Sequence, residues 1–429
     1  MSSSTSYDPV HSPFDLLALL LVVSAGLAYL NHRVLKLPLT VGLLVGAASG
    51  TLLLIALDAV VPDLGLKLAI RSLVASINFP ATLLDGFLAF LLFAGALQVN
   101  SADMFSRKWT ILALATLATV LSTGLVAAAL YAASQLLGLG ISLSWCLVFG
   151  ALISPTDPVS VLDVLKRVGI PRGLQATVAG ESLFNDGIGV VLFTLMLSLA
   201  TGNQIDHFGP LAIASLFLLE AIGGGLLGLG LGYLAFLLIR RVDDYNVELI
   251  ISLALASGTY SVAGMLGVSG PIAVVVAGIL IGNHGMDGAM PETSRQHLMT
   301  FWRLVEEILN ALLFLMIGLE IAAIDLDGRT IIAMAVMIPA VLVIRWLSVA
   351  ASALPLNLHL PRRYRSLLIL TWGGLRGGLS VAMALSLPDG PNKASILTIA
   401  YGTVIFSIVV QGLTLESVAR RALSGHADG

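Results

Sequence analysis

Long apolar runs, separated by short polar or glycine-rich stretches, recur along nearly the whole chain, and they restrict its fold more than any other feature. They lie at Phe14–Leu30, Pro38–Leu57, Phe79–Leu97, Trp109–Leu137, Leu143–Leu165, Leu174–Ala200 and Leu211–Ile239, then at Val247–Ala263, Ile272–Gly282, Phe301–Ile321, Ile331–Ala353, Ser366–Leu385 and Ile396–Leu415. A helix needs roughly 17–25 apolar residues to cross the hydrocarbon core. Ile272–Gly282 reaches that length only if Gly264–Pro271 belongs to it. Charged residues make up 11% of the 429, against roughly 25% in soluble domains. Water-soluble enzyme classes are therefore excluded, and the reading is an all-α polytopic membrane protein with about thirteen transmembrane helices.

The basic residues test that count, because one helix too many or too few scrambles their alternation. Arg33, Lys36, Arg107, Lys108, Lys166, Arg167, Arg172, Arg240, Arg241, Arg295, Arg362, Arg363, Arg365, Arg420 and Arg421 fall on one side. Only Lys67, Arg71, Arg329 and Lys393 fall on the other. The amino terminus is thus expected outside and the carboxyl terminus inside the cell. A net charge of −3 offers no field for nucleic acid, and Cys146 stands alone, so neither a disulfide nor a cysteine zinc site is available. The seven histidines show no metal-ligand spacing. Residues 1–13 and 416–429 are expected to be short polar tails, with no removable signal peptide and no cytosolic regulatory domain.

An ion inside the membrane costs about 2.5–3.5 kcal/mol on insertion scales, so polar residues there are candidates for function. In the fifth segment, Ser154-Pro155-Thr156-Asp157-Pro158 lies mid-span. Each proline removes a backbone donor and clashes with the preceding turn, which predicts an interrupted helix. Free peptide groups at that depth are tolerated only where they line an enclosed cavity, and such broken ends bind ions. The sixth segment carries Glu181, Ser182, Asn185 and Asp186. At about 100° per residue, Ser182 and Asp186 share one face while Glu181 and Asn185 share the next. Arg345 and Arg376 are the bases available to the acids. Arg376 sits among Gly373, Gly374, Gly377 and Gly378, which predicts a second interruption in the twelfth segment. The two interruptions stand seven helices apart, the offset of inverted repeats, so they run in opposite directions and can cross. Asp85 and Asp163 are acids whose part stays open, and the glycines from Gly223 to Gly232 suit close helix packing.

Thr156-Asp157-Pro158, the run Gly180 to Gly187, and Trp372-Gly373-Gly374-Leu375-Arg376-Gly377 together resemble the monovalent cation/proton antiporter superfamily, specifically the NhaP-type sodium/proton antiporters. Gly270 to Gly278 and Asn310 to Glu320 also look like family segments, so the resemblance spans nearly the whole chain. It implies a homodimer in the membrane, with a dimerisation domain near residues 14–97 and 247–321, a core domain near 109–200 and 331–415, and a linker helix at 211–239. It further implies elevator-type alternating access, with Na+ bound by Asp186, Asp157, Ser182 and the Thr156 carbonyl. By the same resemblance Glu181 would pair with Arg345 as a structural bridge ordered by Asn185, and Pro155, Pro158, Gly374, Arg376 and Gly377 would belong to the unwound stretches. One position departs from the family: Ala94 stands where members often carry an acid.

The expected activity is electroneutral exchange of one Na+, or Li+, for one H+ at Asp186, with no cofactor, in the inner membrane of a bacterium. A K+/H+ antiporter of the same fold is the alternative. A cation channel fits less well, since no selectivity-filter loop is visible. An intramembrane hydrolase built on Asp157 and Asp186 lacks a histidine in the same helices.

Overall fold

The computed structural model describes residues 13–61, 65–157, 159–202, 210–242, 244–285, 292–324, 327–353 and 363–424. Every regular element among them is helical. In chain order these are α1 (Phe14–Leu35), α2 (Leu39–Val60), α3 (Leu66–Ile77), α4 (residues 79–97), α5 (Lys108–Leu137), α6 (Leu143–Ile153), α7 (Val159–Val168) and α8 (Arg172–Ala200). There follow α9 (Pro210–Ile239), α10 (Tyr245–Leu266), α11 (Gly270–Leu280), α12 (Glu292–Leu319), α13 (Gly328–Ala353), α14 (Arg363–Trp372), α15 (Gly378–Leu385) and α16 (residues 393–424).

Among the described residues nine helices are long and apolar enough to cross a membrane. The other four apolar runs are helical as well, but each falls short for a physical reason. Two are interrupted, giving α6 with α7 and α14 with α15. The α11 helix has 11 residues, and α12 carries Arg303, Glu306 and Glu307 on adjacent turns.

Two stretches differ from the sequence expectation. Residues 66–77, left between the second and third apolar runs, form α3, whose Leu66, Ile70, Val74 and Ile77 recur at helical spacing. It ends at Asn78, in the left-handed conformation with φ 44°. The expected polar tail from residue 416 is helical to Ser424. Leu415, Ala419 and Ala422 line one face there and join a buried cluster with Val161, Leu165 and Leu370.

The contacts divide the chain into two compact units, with boundaries at Thr82 within α4 and Glu307 within α12. In the smaller unit α2 packs on α1 and α3, and Arg71 Nε donates to the Ala322 carbonyl at 3.1 Å. In the larger unit α11 lies deep in the core, with Ala273, Val274, Val275 and Ala277 fully buried. Close packing admits it: a Cβ on Gly224, Gly228 or Gly232 of α9 would run into Ser269, Ala273 or Ala277, four residues apart on both helices.

Candidate ion-binding site

The α6 helix stops at Ile153, and α7 starts at Val159. Pro155 has no N–H to continue the ladder, and residues 155–157 are non-helical. Pro158 lies outside the described residues, as does the side chain of Asp163. Buried peptide groups must find partners, and here they come from three directions. The Thr156 N–H donates to Asn185 Oδ1 at 3.2 Å, and the Asp157 N–H donates to the Leu375 carbonyl at 2.8 Å. Arg376 Nη1 donates to the Ser154 carbonyl at 2.5 Å and to the Pro155 carbonyl at 3.0 Å. A guanidinium thus covers the carbonyl end of α6, where the helix dipole is negative.

The second interruption runs from Gly373 to Gly377, between α14 and α15. It is tied down by α16, where residues Ser407–Gln411 adopt a π-helical stretch. Ser407 Oγ accepts from the Arg376 N–H at 3.0 Å, and Gln411 Nε2 donates to the Trp372 carbonyl at 3.2 Å. Two glycines here are required by close approach. A Cβ on Gly377 would sit 2.6 Å from the Asp157 Cβ, and one on Gly374 would sit 2.7 Å from Arg345 Nε.

From α8, Ser182 and Asn185 both face the first interruption. Ser182 Oγ lies 3.1 Å from Thr156 Oγ1, and Asn185 Nδ2 donates to the same hydroxyl at 2.9 Å. Asn185, expected to order the ion pair, therefore makes both its amide hydrogen bonds to Thr156 and fixes the break. Glu181, one residue before Ser182, points elsewhere: its Oε1 meets Arg345 Nη1 at 2.6 Å, with side chains 2% and 4% exposed. Arg345 Nη2 also donates to the Leu370 carbonyl at 3.3 Å. Asp186 is half-buried one helical turn beyond Ser182, within electrostatic reach of Asp157. A Cβ on Gly189 would collide with the Pro155 ring, so α8 lies directly against the break.

The sequence-read residues that are described thus gather around the paired breaks, while Ala94 is fully buried in α4. Ser407 and Gln411 escaped sequence reasoning. Their only signal was a Ser and a Gln four residues apart in an apolar run, with nothing to mark the π-helical stretch that turns both toward the second break. Oxygen donors, carboxylates and a carbonyl-rich turn make a hard-cation environment. Among the described residues no group of three or more His, Cys, Asp or Glu is arranged to hold a metal ion.

Paired helix breaks with buried carboxylates and guanidiniums, inside an all-helical membrane chain, define a class of ion-moving carriers. The chain belongs to the sodium/hydrogen exchanger family, whose transmembrane model matches residues 19–421. It is 41% identical over 423 residues to the Na(+)/H(+) antiporter NhaP of Pseudomonas aeruginosa, covering 96% of this chain and 97% of that one. It is 38% identical to the Na(+)/H(+) antiporter NhaH of Halobacillus dabanensis, covering 96% and 98%. Its fold matches that of the sodium proton antiporter MjNhaP1 from Methanocaldococcus jannaschii, with a TM-score of 0.71 at 20% identity, covering 96% of this chain and 98% of that one.

Proposed function

We propose that this protein is a Na+/H+ antiporter in which one Na+ and one H+ compete for Asp186. Asp157, Ser182 and the Thr156 carbonyl complete the cation's coordination. The observation that carries the reading is the charge at the paired breaks. Among the described side chains at the breaks, Asp157, Glu181 and Asp186 stand with Arg345 and Arg376, which leaves one negative charge when all are ionised. One proton or one monovalent cation neutralises it, and occupation by both leaves an uncompensated positive charge in a low-dielectric setting. Mutual exclusion at a single site couples the two fluxes and makes the exchange electroneutral, one for one.

In this reading the chain crosses the membrane thirteen times, with the two interrupted segments crossing each other. The amino terminus is outside and the carboxyl terminus in the cytoplasm of a bacterium. The chain acts as a homodimer, residues near 14–97 and 247–321 holding the partner while those near 109–200 and 331–415 carry the site between faces like an elevator. Residues 211–239 link the two domains.

The test is cation-induced proton efflux from proteoliposomes loaded with a pH dye, for wild type and Asp186→Asn, with sodium, lithium and potassium in turn. A response to sodium that the substitution abolishes is the expected result. A response confined to potassium keeps the mechanism and changes the cargo. A current that flows without a counter-ion gradient overturns the carrier reading in favour of a channel.

A further inference from the structure

Beside the second break, between α13 and α16, lies a small cavity whose walls include Val341, Arg345, Gly374, Thr403, Ser407 and Gln411. Both helices depart from regular geometry there. Pro339 removes a backbone donor from α13 two residues before Val341, and α16 is π-helical from Ser407 to Gln411. The cavity gives about 10 Å³ to the centre of a water molecule, close to the least that one water needs.

Arg345 lines this space with a donor to spare. Its Nη1 meets Glu181 and its Nη2 donates to the Leu370 carbonyl, whereas Nε is buried and finds no acceptor among the described residues. A buried N–H on a charged group is costly to leave unmet. Gly374 keeps the space next to it open, because a Cβ there would sit 2.7 Å from Nε, at hydrogen-bonding distance. Acceptors stand on α16. Gln411 donates through Nε2 to the Trp372 carbonyl, which leaves its Oε1 to accept, and Thr403 donates to the Ile399 carbonyl and keeps its lone pairs. Ser407 Oγ accepts from the Arg376 N–H and keeps its own hydrogen to give. The guanidiniums of Arg345 and Arg376 repel a cation from this space, and a large anion exceeds its room.

We propose that the cavity binds one structural water molecule, which accepts from Arg345 Nε and donates to Gln411 Oε1. The water holds Arg345 by its third donor in the orientation that meets Glu181. It also completes a hydrogen-bonded path from Glu181 of α8, through Arg345 and Gln411, to the Trp372 carbonyl at the second break. The two breaks thus gain a second tie besides the hydrogen bond from Asp157 to Leu375.

The experiment is an electron cryomicroscopy map of the wild-type protein in lipid nanodiscs, at a resolution that shows ordered water, recorded in sodium chloride and again in sodium iodide. A peak within hydrogen-bonding distance of Arg345 Nε and the Gln411 side chain, of equal height in both salts, is expected. No peak overturns the inference, and so does a peak that strengthens in iodide, which makes the ligand an anion. Val341→Ile tests the tie, because its extra methyl takes up the water's room and removes no polar group. It should lower the melting temperature and cut the maximal exchange rate about threefold, with half-saturating sodium unchanged. In an Arg345→Lys background, which keeps the charge and lacks Nε, the same substitution should cost nothing further. An equal fall in both backgrounds marks simple overpacking and overturns the tie, as does a change in half-saturating sodium alone. Absence of exchange in the wild type overturns the exchange reading instead, and the map and the melting temperatures still decide the water.

Discussion

The peptide N–H of Asp157 donates to the carbonyl of Leu375 at 2.8 Å, so the two helix breaks share a hydrogen bond and a shift of either one strains the other. Gly377 lies in the same contact, because a side chain there would occupy the space of the Asp157 carboxylate. Gly377→Ala is expected to push the breaks apart at an overpacking cost of about 1–3 kcal/mol. The melting temperature in detergent should fall, and sodium-dependent exchange should drop by about tenfold or more, a loss that corresponds to roughly 1.4 kcal/mol in the transport step. Gly124→Ala is the control, since nothing lies within 4 Å of its Cβ position and it lies outside the stretches proposed to hold the partner, and it should match wild type in both measurements.

The Glu181–Arg345 pair makes a different claim, because both side chains are buried and the partners are 2.6 Å apart. Removing one partner strands the other charge away from water, at a cost of about 3–5 kcal/mol. Glu181→Gln and Arg345→Met should each lower thermal stability strongly. The double variant Glu181→Leu with Arg345→Met should recover part of the loss, because no unpaired ion remains. A double variant no more stable than the worse single one would show that the pair is not the source of the effect.

How far the site could be read from the sequence depended on the kind of signal each residue carries. Pro155 and the Gly373 to Gly378 cluster announce breaks by their backbone chemistry, which acts locally and needs no tertiary context. Glu181, Asp186 and Arg376 stand out because ions are scarce in apolar segments. The direction of Asn185 was not legible: helical spacing puts it on the face of Glu181, and only the position of Thr156 decides that its amide turns to the break. The π-helical stretch Ser407–Gln411 has no local sequence mark, because it exists to meet a break formed by another segment. The α3 helix lay outside the apolar runs because Lys67 and Arg71 interrupt its hydrophobic pattern, and only its packing on α2 reveals it.

Asn185 also marks where the charge at the site can be altered. Its Oδ1 accepts from the Thr156 N–H, a role that an aspartate keeps, while its Nδ2 donation to Thr156 Oγ1 is replaceable by rotation of the threonine hydroxyl. Asn185→Asp therefore preserves the hydrogen bonds and adds a second negative charge. With one cation bound, that site no longer crosses the membrane neutral. Exchange by the variant should become sensitive to an imposed membrane potential, measured with potassium and valinomycin in sodium-driven proteoliposomes, while wild type stays insensitive. Equal voltage sensitivity in both proteins would count against the single-charge account.

Ser407 offers the sharpest separation between holding the break and binding the ion. Its hydroxyl accepts from the buried Arg376 N–H at 3.0 Å, and it is not among the proposed cation ligands. Ser407→Ala leaves that N–H without its acceptor, at a cost of about 1–3 kcal/mol. Arg376 should then hold the Ser154 and Pro155 carbonyls less firmly, because its backbone anchor is gone. The expected result is a lower melting temperature and a lower maximal exchange rate with little change in half-saturating sodium, since the cation's own ligands are intact. Ser407→Thr, which keeps the hydroxyl, should restore both. A large rise in half-saturating sodium in Ser407→Ala would place the second break in direct contact with the cation.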